Sequence, residues 1–325
     1  MKNISHWSKG KIPKNNAFFA IGDVHGEWQL LVKLIKIIKK KISILPKNTK
    51  IFIIFLGDYI DRGLDSKICV NILSNLKIEN IKIVFLCGNH DEIFKRIISC
   101  EGVKNFKECK LKSYREYEEL VSDNNNYLNA QGLLKWLHIG GGMKTVLDYC
   151  PMLKNGFIHN LKLNTTIDNK ILKNIFEEIL ILKKSIPFKH KQFFSSIYKN
   201  SHFLIGDYLF THAGINPNIS ILEQGIGKNS KTLSDYDYIE FLMIRDKFLW
   251  RDNLENCPYY VIHGHTPSEI KVKNSIIADY RKNYRVCIDT SIYTKDGTIT
   301  CFYGYNDNYN FISVNKNKRN FLLNY

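Results

Sequence analysis

The segment IFIIFLGDYIDRG, residues 51–63, places six apolar residues directly before a cluster of charged ones. Residues 51–56 predict a buried strand, and Asp58, Asp61 and Arg62 follow it after one glycine. A buried carboxylate without a partner costs several kcal/mol of folding free energy. The segment therefore predicts that these carboxylates reach water at the end of the strand or meet a positively charged partner there.

Two similar apolar stretches lie on either side of this strand in the chain, at residues 17–21 and 81–87. Between the three stretches, residues 27–41 and 66–76 repeat apolar residues with a helical period. Strands that alternate with helices at this spacing indicate parallel βαβ units. Their unbroken apolar runs, rather than alternating ones, are typical of strands that are covered on both faces.

The second half of the chain has a different pattern. Residues 202–214 predict a hairpin with its turn at Gly206 and Asp207, and residues 259–265, 284–291 and 297–304 predict three more strands. The sequence therefore predicts an α/β protein in which two mixed sheets pack face to face as a sandwich, with helices outside.

A long charged stretch at about residues 95–200 separates the two halves. Its segments SYREYEELV (113–121) and NIFEEILILKK (174–184) have helical patterns, and NTTIDNK (164–170) predicts a loop. We interpret this stretch as a helical elaboration over one end of the sheets. The expected organisation is a polar tail at residues 1–16, one domain at residues 17–305 and a second tail at residues 306–325.

Composition narrows the function class. The 325-residue chain carries a formal charge of +16, but it has no block of five basic residues, so nucleic acid is a disfavoured partner. A positive field would also attract phosphorylated substrates. The sequence shows neither an 18-residue apolar run nor a signal peptide, which predicts a cytoplasmic protein without a membrane partner. Its eight scattered cysteines predict reduced, buried thiols.

Five of the predicted strands end in a cluster of Asp, His or Asn beside glycine. The clusters are GDVHG (22–26), GDYIDRG (57–63), GNHD (88–91), THAG (211–214) and HGH (263–265). Any one of them alone is ordinary, since an Asp after a strand commonly caps the next helix. Ligands of parallel sheets bind beyond the carboxyl ends of the strands, where these clusters lie. Oxygen and imidazole donors without cysteine suit Mn, Fe or Zn.

In this order, the clusters resemble the motifs of phosphoprotein phosphatase (PPP-type) metallophosphoesterases, most closely those of bacterial and phage serine/threonine protein phosphatases. The segments FLWRD (248–252) and GLLKWLHIGGGMKTVLDY (132–149) add to the resemblance, which covers roughly residues 17–305. It implies the calcineurin-like metallophosphoesterase fold, which is a sandwich of two mixed sheets.

The resemblance also implies roles for individual residues. Asp23 and His25 would bind one divalent metal ion, Asn89, His212 and His265 would bind a second, and Asp58 would bridge the two. The ions implied are Mn, or else Fe or Zn. Arg62 and Arg251 would bind the substrate phosphate. His90 would be the general acid, oriented by Asp61. His263 is left out because the family's ligand follows the glycine.

Three functions stay open at this point. The first is a two-metal phosphatase that acts on phosphoserine or phosphothreonine in proteins and peptides. The second is a nucleotide phosphohydrolase with the same site, such as a symmetrical diadenosine tetraphosphate hydrolase. The presence of Asp61 favours the first, because that hydrolase branch usually has Ala there. The third is a non-catalytic, basic binding protein with a relict metal site, which the complete ligand set disfavours.

Overall fold

A computed structural model describes most of the chain. The described residues are 10–104, 127–162, 165–227, 230, 235–251, 253–255, 257–272, 275–282, 284–306, 308–316 and 321–324. The predicted helical segment at residues 113–121 lies outside them. The predicted loop at residues 164–170 is described from residue 165, and it leads into a helix at residue 169.

A six-stranded mixed sheet forms one layer of the molecule. Its parallel strands are β1 (Asn16–Ile21), β2 (Lys50–Phe55) and β3 (Ile81–Phe85), joined by helices α1 (Trp28–Ile42) and α2 (Ser66–Ser74). Its other three strands come from the end of the chain. They are β12 (Thr298–Tyr305), β13 (Asn308–Asn315) and β14 (Phe321–Asn324). They pair antiparallel with one another, and β12 pairs antiparallel with β1. The strand order of the whole sheet is β14-β13-β12-β1-β2-β3. The predicted βαβ units are confirmed.

A four-stranded mixed sheet forms the second layer. Its strands are β6 (His202–Ile205), β7 (Tyr208–Thr211), β8 (Tyr260–His263) and β11 (Arg285–Cys287), in the order β11-β8-β7-β6. The predicted hairpin joins β6 to β7, and Gly206 in its turn has a φ of 55°, which glycine adopts without strain.

The alternation of side chains along β1 explains its unbroken apolar run. Ala17, Phe19 and Ile21 pack with the helices on one face of the large sheet. Phe18 and Ala20 point the other way and pack against the small sheet. Every residue of the run is buried because both faces are covered, and the predicted sandwich of two mixed sheets is confirmed.

The stretch between the two halves is largely helical, as predicted. Its helices are α3 (Asn89–Ser99), α4 (Ala130–His138), α5 (Gly142–Tyr149), α6 (Phe157–Asn160), α7 (Asn169–Ser185) and α8 (Phe188–Ile197), with a 3-10 turn at Pro151–Asn155. It also holds a short parallel pair of strands that the sequence did not predict, β4 (Gly102–Lys104) and β5 (Tyr127–Asn129).

The long helix α7 shows why this stretch folds as helix. The Asp168 side chain accepts a hydrogen bond from the Ile171 backbone N–H and so caps the first turn. Ile175, Ile179 and Leu182 then recur at helical spacing, and all three are buried in the helix-side core.

Smaller elements complete the described chain. They are helices α9 (Asp235–Met243) and α10 (Asp246–Leu249) and the antiparallel pair β9 (Lys271–Val272) and β10 (Ser275–Ile276). No helix among the described residues is both long and apolar enough to cross a membrane. The seven described cysteines are free thiols, and six of them are buried, as the sequence predicted.

Residues that the sequence assigned to tails take part in the fold. Gly10, in the predicted N-terminal tail, accepts hydrogen bonds through its carbonyl from the hydroxyls of Tyr208 and Tyr309. In the predicted C-terminal tail, β13 pairs with β12 along eight residues. The sequence did not predict this strand, because residues 306–310 are mostly Asn and Asp and its apolar pattern begins only at Tyr309.

Candidate active site

The Asp58 carboxylate lies at the centre of the edge where β1, β2, β3, β7 and β8 end. Its Oδ2 is 3.6 Å from His25 Nε2, and its Oδ1 is 3.5 Å from His212 Nε2. Asp23 Oδ2 lies 4.0 Å from the same His25 nitrogen. Residues from three separate loops therefore meet around one buried carboxylate, and Asp58 stands between two groups of donors.

The second group of donors surrounds the Asn89 side chain. Asn89 Oδ1 lies 3.1 Å from His212 Nε2 and 2.9 Å from His265 Nδ1. All three residues are buried. The structure thus brings together all six residues that the resemblance assigned to metal binding, with Asp58 in contact with both groups.

Backbone carbonyls fix the orientation of two imidazoles. His25 Nδ1 donates to the Ile60 carbonyl at 2.8 Å, and His212 Nδ1 donates to the Leu56 carbonyl at 2.9 Å. Each ring therefore presents the lone pair of its Nε2 to Asp58. Histidine ligands of metals are commonly oriented through the second ring nitrogen in this way.

The donor set fits divalent cations. Donor atoms about 2.1 Å from one ion lie roughly 3 to 4 Å from one another, which matches the distances within both groups. Among the described residues, two clusters satisfy the spacing for a metal ion, and they share Asp58: the first is His25, Asp58 and His90, and the second is Asp58, His212 and His265. Burial lowers the pKa of His25, of His212 and of His265, which favours the neutral rings that can ligate a metal.

Positive charge would stabilise the closely spaced carboxylates of the site. Burial raises the pKa of Asp23 well above its usual range, and the neighbouring Asp289 and Asp58 raise it further. Asp289 itself has a pKa raised to about 6, first by burial and then by Asp58. Burial acts in the same direction on Asp58, but the positive charge that the surrounding histidines carry when protonated, that of His212 first, outweighs it and lowers the pKa of Asp58. Bound cations would relieve the repulsion among these carboxylates.

His90 meets the spacing of the first cluster, yet its nitrogens have other partners. Its Nδ1 lies 2.6 Å from Asp61 Oδ2, and its Nε2 lies 3.1 Å from Arg62 Nη2. Asp61 is fully buried, so this carboxylate and the ring form a close pair at the edge of the donor groups. The pair matches the arrangement that the resemblance implied for a general acid and its orienting carboxylate.

The backbone around the site adopts left-handed conformations that side chains rarely take. The φ angles are 42° at His25, 53° at Asp58, 70° at Asp61, 63° at Arg62 and 65° at His265. Such conformations cost on the order of 1–3 kcal/mol each and persist where the surrounding structure enforces them. They turn the chain sharply after each strand and aim the side chains into one space.

Asp91 holds one of these strained turns, a role that the sequence did not predict for it. Its carboxylate accepts hydrogen bonds from the backbone N–H groups of Asp58 at 2.7 Å, of Tyr59 at 3.0 Å and of Gly88 at 3.0 Å. Asp91 is fully buried. It anchors the loop that carries Asp58 onto the start of α3. This is a long-range contact that only the three-dimensional structure reveals.

Two glycines of the motifs are required by close approach. A Cβ at Gly88 would lie 2.1 Å from Asp58 Oδ1, and a Cβ at Gly264 would lie 2.0 Å from Asp23 Oδ1. Neither position has room for a side chain. The glycines beside the Asp and His residues therefore allow the carboxylates to pack against backbone.

A cleft of about 190 Å³ opens over the donor groups. Its walls are formed by Asp58, Arg62, Asn89, His90, Ile93, Lys135, Trp136, Ile139, Gly140, Met243, Arg245 and His265. Arg62 reaches over the cleft floor, where its Nη1 donates to the Tyr293 hydroxyl at 3.1 Å and its guanidinium lies 4.9 Å from the centre of that ring. Tyr293 is a supporting residue that the sequence did not single out.

The structure does not bring Arg251 to this cleft. Its guanidinium is exposed and donates to Asn218 Oδ1 at 2.6 Å. Arg245, six residues earlier, lines the cleft and donates to Thr266 Oγ1 at 3.1 Å. Both arginines precede an aspartate, in the segments MIRD and LWRD. Position relative to the short helix α10 separates them, because Arg245 stands before that helix and Arg251 beyond its end.

Comparison with known families agrees with this geometry. Residues 17–200, more than half of the chain, match the model of the calcineurin-like phosphoesterases. The chain belongs to the calcineurin-like phosphoesterase family. The matched residues of this phosphoesterase run from β1 to the end of α8, and they include Asp23, Asp58 and Asn89. Membership of the family indicates metal-dependent hydrolysis of phosphoesters.

Three solved structures are similar to this phosphoesterase over most of its length, at low sequence identity. A putative diadenosine tetraphosphatase is 14% identical with a TM-score of 0.42, over 98% of this chain and 97% of that one. A cold-active protein tyrosine phosphatase of a psychrophilic Shewanella species is 15% identical with a TM-score of 0.46, over 99% and 86%. A serine/threonine phosphatase from Saccharomyces cerevisiae, similar to human PP5, is 12% identical with a TM-score of 0.43, over 94% and 81%.

Proposed function

We propose that the protein is a two-metal phosphatase that hydrolyses phosphoserine or phosphothreonine in proteins or peptides. The observation that carries the proposal is the pair formed by His90 and Asp61, 2.6 Å apart, beside two groups of metal donors that share Asp58. An alkoxide leaving group such as that of serine is a strong base, so its departure needs a positioned acid.

The metal ions would be held as the donor groups suggest. Asp23, His25 and Asp58 would hold one ion, and Asp58, Asn89, His212 and His265 would hold the other. Two divalent ions bound there would supply Lewis-acid stabilisation of phosphoryl oxygens and a bound water of lowered pKa. Manganese is the ion we propose first, and iron and zinc suit the same oxygen and imidazole donors.

Arginine side chains orient the substrate phosphate. Arg62 reaches into the cleft from the β2 side, and Arg245 lines the wall formed by the segment that follows α9. A guanidinium can bind two phosphate oxygens at once, which fixes the phosphoryl group as a point charge cannot. We propose Arg62 and Arg245 as the phosphate-binding pair, in place of the predicted Arg62 and Arg251.

His90 supplies the proton for the leaving group. With Nδ1–H donating to Asp61, the Nε2 atom faces the cleft, where Arg62 Nη2 lies 3.1 Å from it. In the complex, the guanidinium would turn to the phosphate and the imidazole would bind a second proton, at Nε2. This N–H would donate to the ester oxygen as the bond from that oxygen to phosphorus breaks and a water oxygen bonds to phosphorus. No side chain needs to form a covalent bond to the phosphoryl group.

One assay tests this function against the alternatives. The chelated protein is reloaded separately with Mn²⁺, Fe²⁺ or Zn²⁺ and assayed on a phosphoserine and phosphothreonine peptide panel and on dinucleoside tetraphosphates. Higher kcat/KM on peptides is the expected result. Higher kcat/KM on the tetraphosphates would instead identify a nucleotide hydrolase. No hydrolysis with any metal would overturn the catalytic proposal and favour a binding protein.

A further inference from the structure

The Asp61 carboxylate is bound by more than the His90 ring. Trp136 Nε1 donates to Asp61 Oδ2 at 2.7 Å, the same oxygen that accepts from His90 Nδ1 at 2.6 Å. Thr145 Oγ1 donates to the other oxygen, Oδ1, at 2.5 Å. Trp136 and Thr145 stand on α4 and α5, in the stretch that the sequence predicted only to cover one end of the sheets.

The hydrogens around Thr145 can be assigned by counting. The Thr145 hydroxyl has one hydrogen, and an ionised Asp61 can only accept, so that hydrogen goes to Asp61 Oδ1. The contact between Ser66 Oγ and Thr145 Oγ1, at 2.8 Å, must then be a donation from Ser66. The Asp61 backbone N–H also donates to Thr145 Oγ1, at 3.0 Å. Thr145 is therefore fully used, and it binds both the carboxylate and the backbone of Asp61.

Trp136 has little freedom to move away. Its ring is buried, and a Cβ at Gly142 would lie only 2.2 Å from it, so α5 begins directly against the indole. Phe94, on the helix that begins with Asn89 and His90, also packs near the indole, with the ring centres 6.3 Å apart. The indole N–H can only donate, so its fixed position fixes Asp61 Oδ2 as well.

We infer that Trp136 and Thr145 are positioning residues for proton transfer by His90, acting through Asp61. Two donors hold the carboxylate in one orientation, and the carboxylate keeps the Nδ1–H of His90 turned away from the cleft and Nε2 turned towards it. This inference rests on the proposed phosphatase function. It gives the helical stretch a part in the chemistry.

Thr145 offers a matched pair of variants. Thr145→Val removes the hydroxyl and keeps the shape, whereas Thr145→Ser keeps the hydroxyl. Trp136→Phe removes the indole N–H and keeps an aromatic ring. Each variant is assayed, loaded with the metal that activates the wild type, on a phosphoserine peptide and on aryl phosphates with leaving groups of decreasing pKa. Melting temperatures are measured alongside.

We expect Thr145→Val and Trp136→Phe to lower kcat on the phosphoserine peptide by about 10-fold or more, the effect of one hydrogen bond to a charged group. The loss should shrink towards the best aryl leaving group, which needs little protonation, and KM should change little. Thr145→Ser should recover most of the loss. A loss that is equal for all leaving groups would overturn the inference, whatever the melting temperatures.

A spectroscopic measurement tests the same contact without turnover. The Nδ1–H proton of His90 can be identified by its loss in His90→Asn. We expect its NMR resonance to move in Thr145→Val and Trp136→Phe and to stay near the wild-type position in Thr145→Ser. An unmoved resonance in all three would contradict the inference while the phosphatase proposal stands. A wild-type protein that hydrolyses no phosphoester with any metal would instead overturn the proposed function.

Discussion

The two sides of the cleft are held in place by different means. On the metal side, strand-end loops supply the donors, and backbone groups orient them, as the Ile60 and Leu56 carbonyls do for His25 and His212. On the opposite side, Asp61 is held by helix side chains that are about 75 and 84 residues away in the chain. The first side belongs to the sandwich itself, and the second depends on a helical stretch packed onto it.

This difference explains how far the sequence could predict the site. The six metal donors carry a local signal, as a strand followed by glycine and a ligand, and the structure brings them together. The carbonyls that orient His25 and His212 are 35 and 156 residues away in the chain, so the sequence did not predict those contacts. The contacts of Asp61 with Trp136 and Thr145 have no local signal, because they depend on how α4 and α5 pack. The two Arg-Asp segments show the same limit, since only the three-dimensional path of the chain distinguishes Arg245 from Arg251.

The fold was predictable to a similar degree. The β1 and β2 runs predicted their own burial because each face of the large sheet has its own core. The strand β13 was missed because its first residues are polar, whereas the apolar pattern of its neighbour β12 is clear. Short strands such as β4 and β5, of three residues each, are too brief to show any period.

The largest effect should follow from changing the centre of the metal side. Asp58→Asn removes the one carboxylate that contacts both donor groups, so metal content and turnover should fall together. We expect the loss in metal affinity to exceed roughly 10²-fold. That is the upper end of the loss seen when a residue that only hydrogen-bonds to a metal ligand is removed. Elemental analysis after dialysis, combined with kcat, measures both. A variant that keeps two ions and a near-normal rate would contradict the bridging role.

The next largest effect should separate the two sides. His90→Asn should retain both ions and still lose turnover on phosphoserine by on the order of 10²–10⁴-fold, the range of general-acid catalysis. The loss should be smaller on an aryl phosphate with a good leaving group. The same elemental analysis and a leaving-group series measure it. If the variant loses metal, His90 is a ligand and belongs to the metal side instead.

A comparison of Arg245 and Arg251 variants tests where the substrate phosphate binds. Arg245→Ala should raise KM and lower kcat/KM by roughly 10- to 100-fold, since hydrogen bonds to charged groups contribute about 1.5–3 kcal/mol. Arg251→Ala should change kcat/KM by less than a few-fold, because its guanidinium is exposed and bonded to Asn218 outside the cleft. Steady-state kinetics on one phosphopeptide decides between them, and a reversed order would restore Arg251 to the site.

The smallest effect concerns the stability of the helical side. Asp148, on α5, accepts a hydrogen bond from the Ser66 backbone N–H at 2.7 Å, and burial raises the pKa of Asp148 to about 6. The folded state thus binds its proton more tightly than the unfolded state does. The stability contributed by this group is full below its ordinary pKa of 3.8 and is lost as pH rises through about 6.

Asp148→Asn should remove this pH dependence and keep an acceptor for Ser66. After solvent screening of a half-exposed group, we expect the variant to gain less than about 1 kcal/mol over the wild type at pH 7 and to show no gain near pH 4. Denaturant unfolding at pH 4, 5, 6 and 7 measures the difference. A gain that is the same at every pH would show that Asp148 is not the titrating group.

The left-handed backbone at His25, Asp58, Asp61, Arg62 and His265 has a consequence for how such a chain changes over generations. Glycine would relieve part of the strain at each position, and every such replacement would remove a working side chain. A descendant of this chain that is not selected for activity would therefore gain folding stability as glycine replaced these residues.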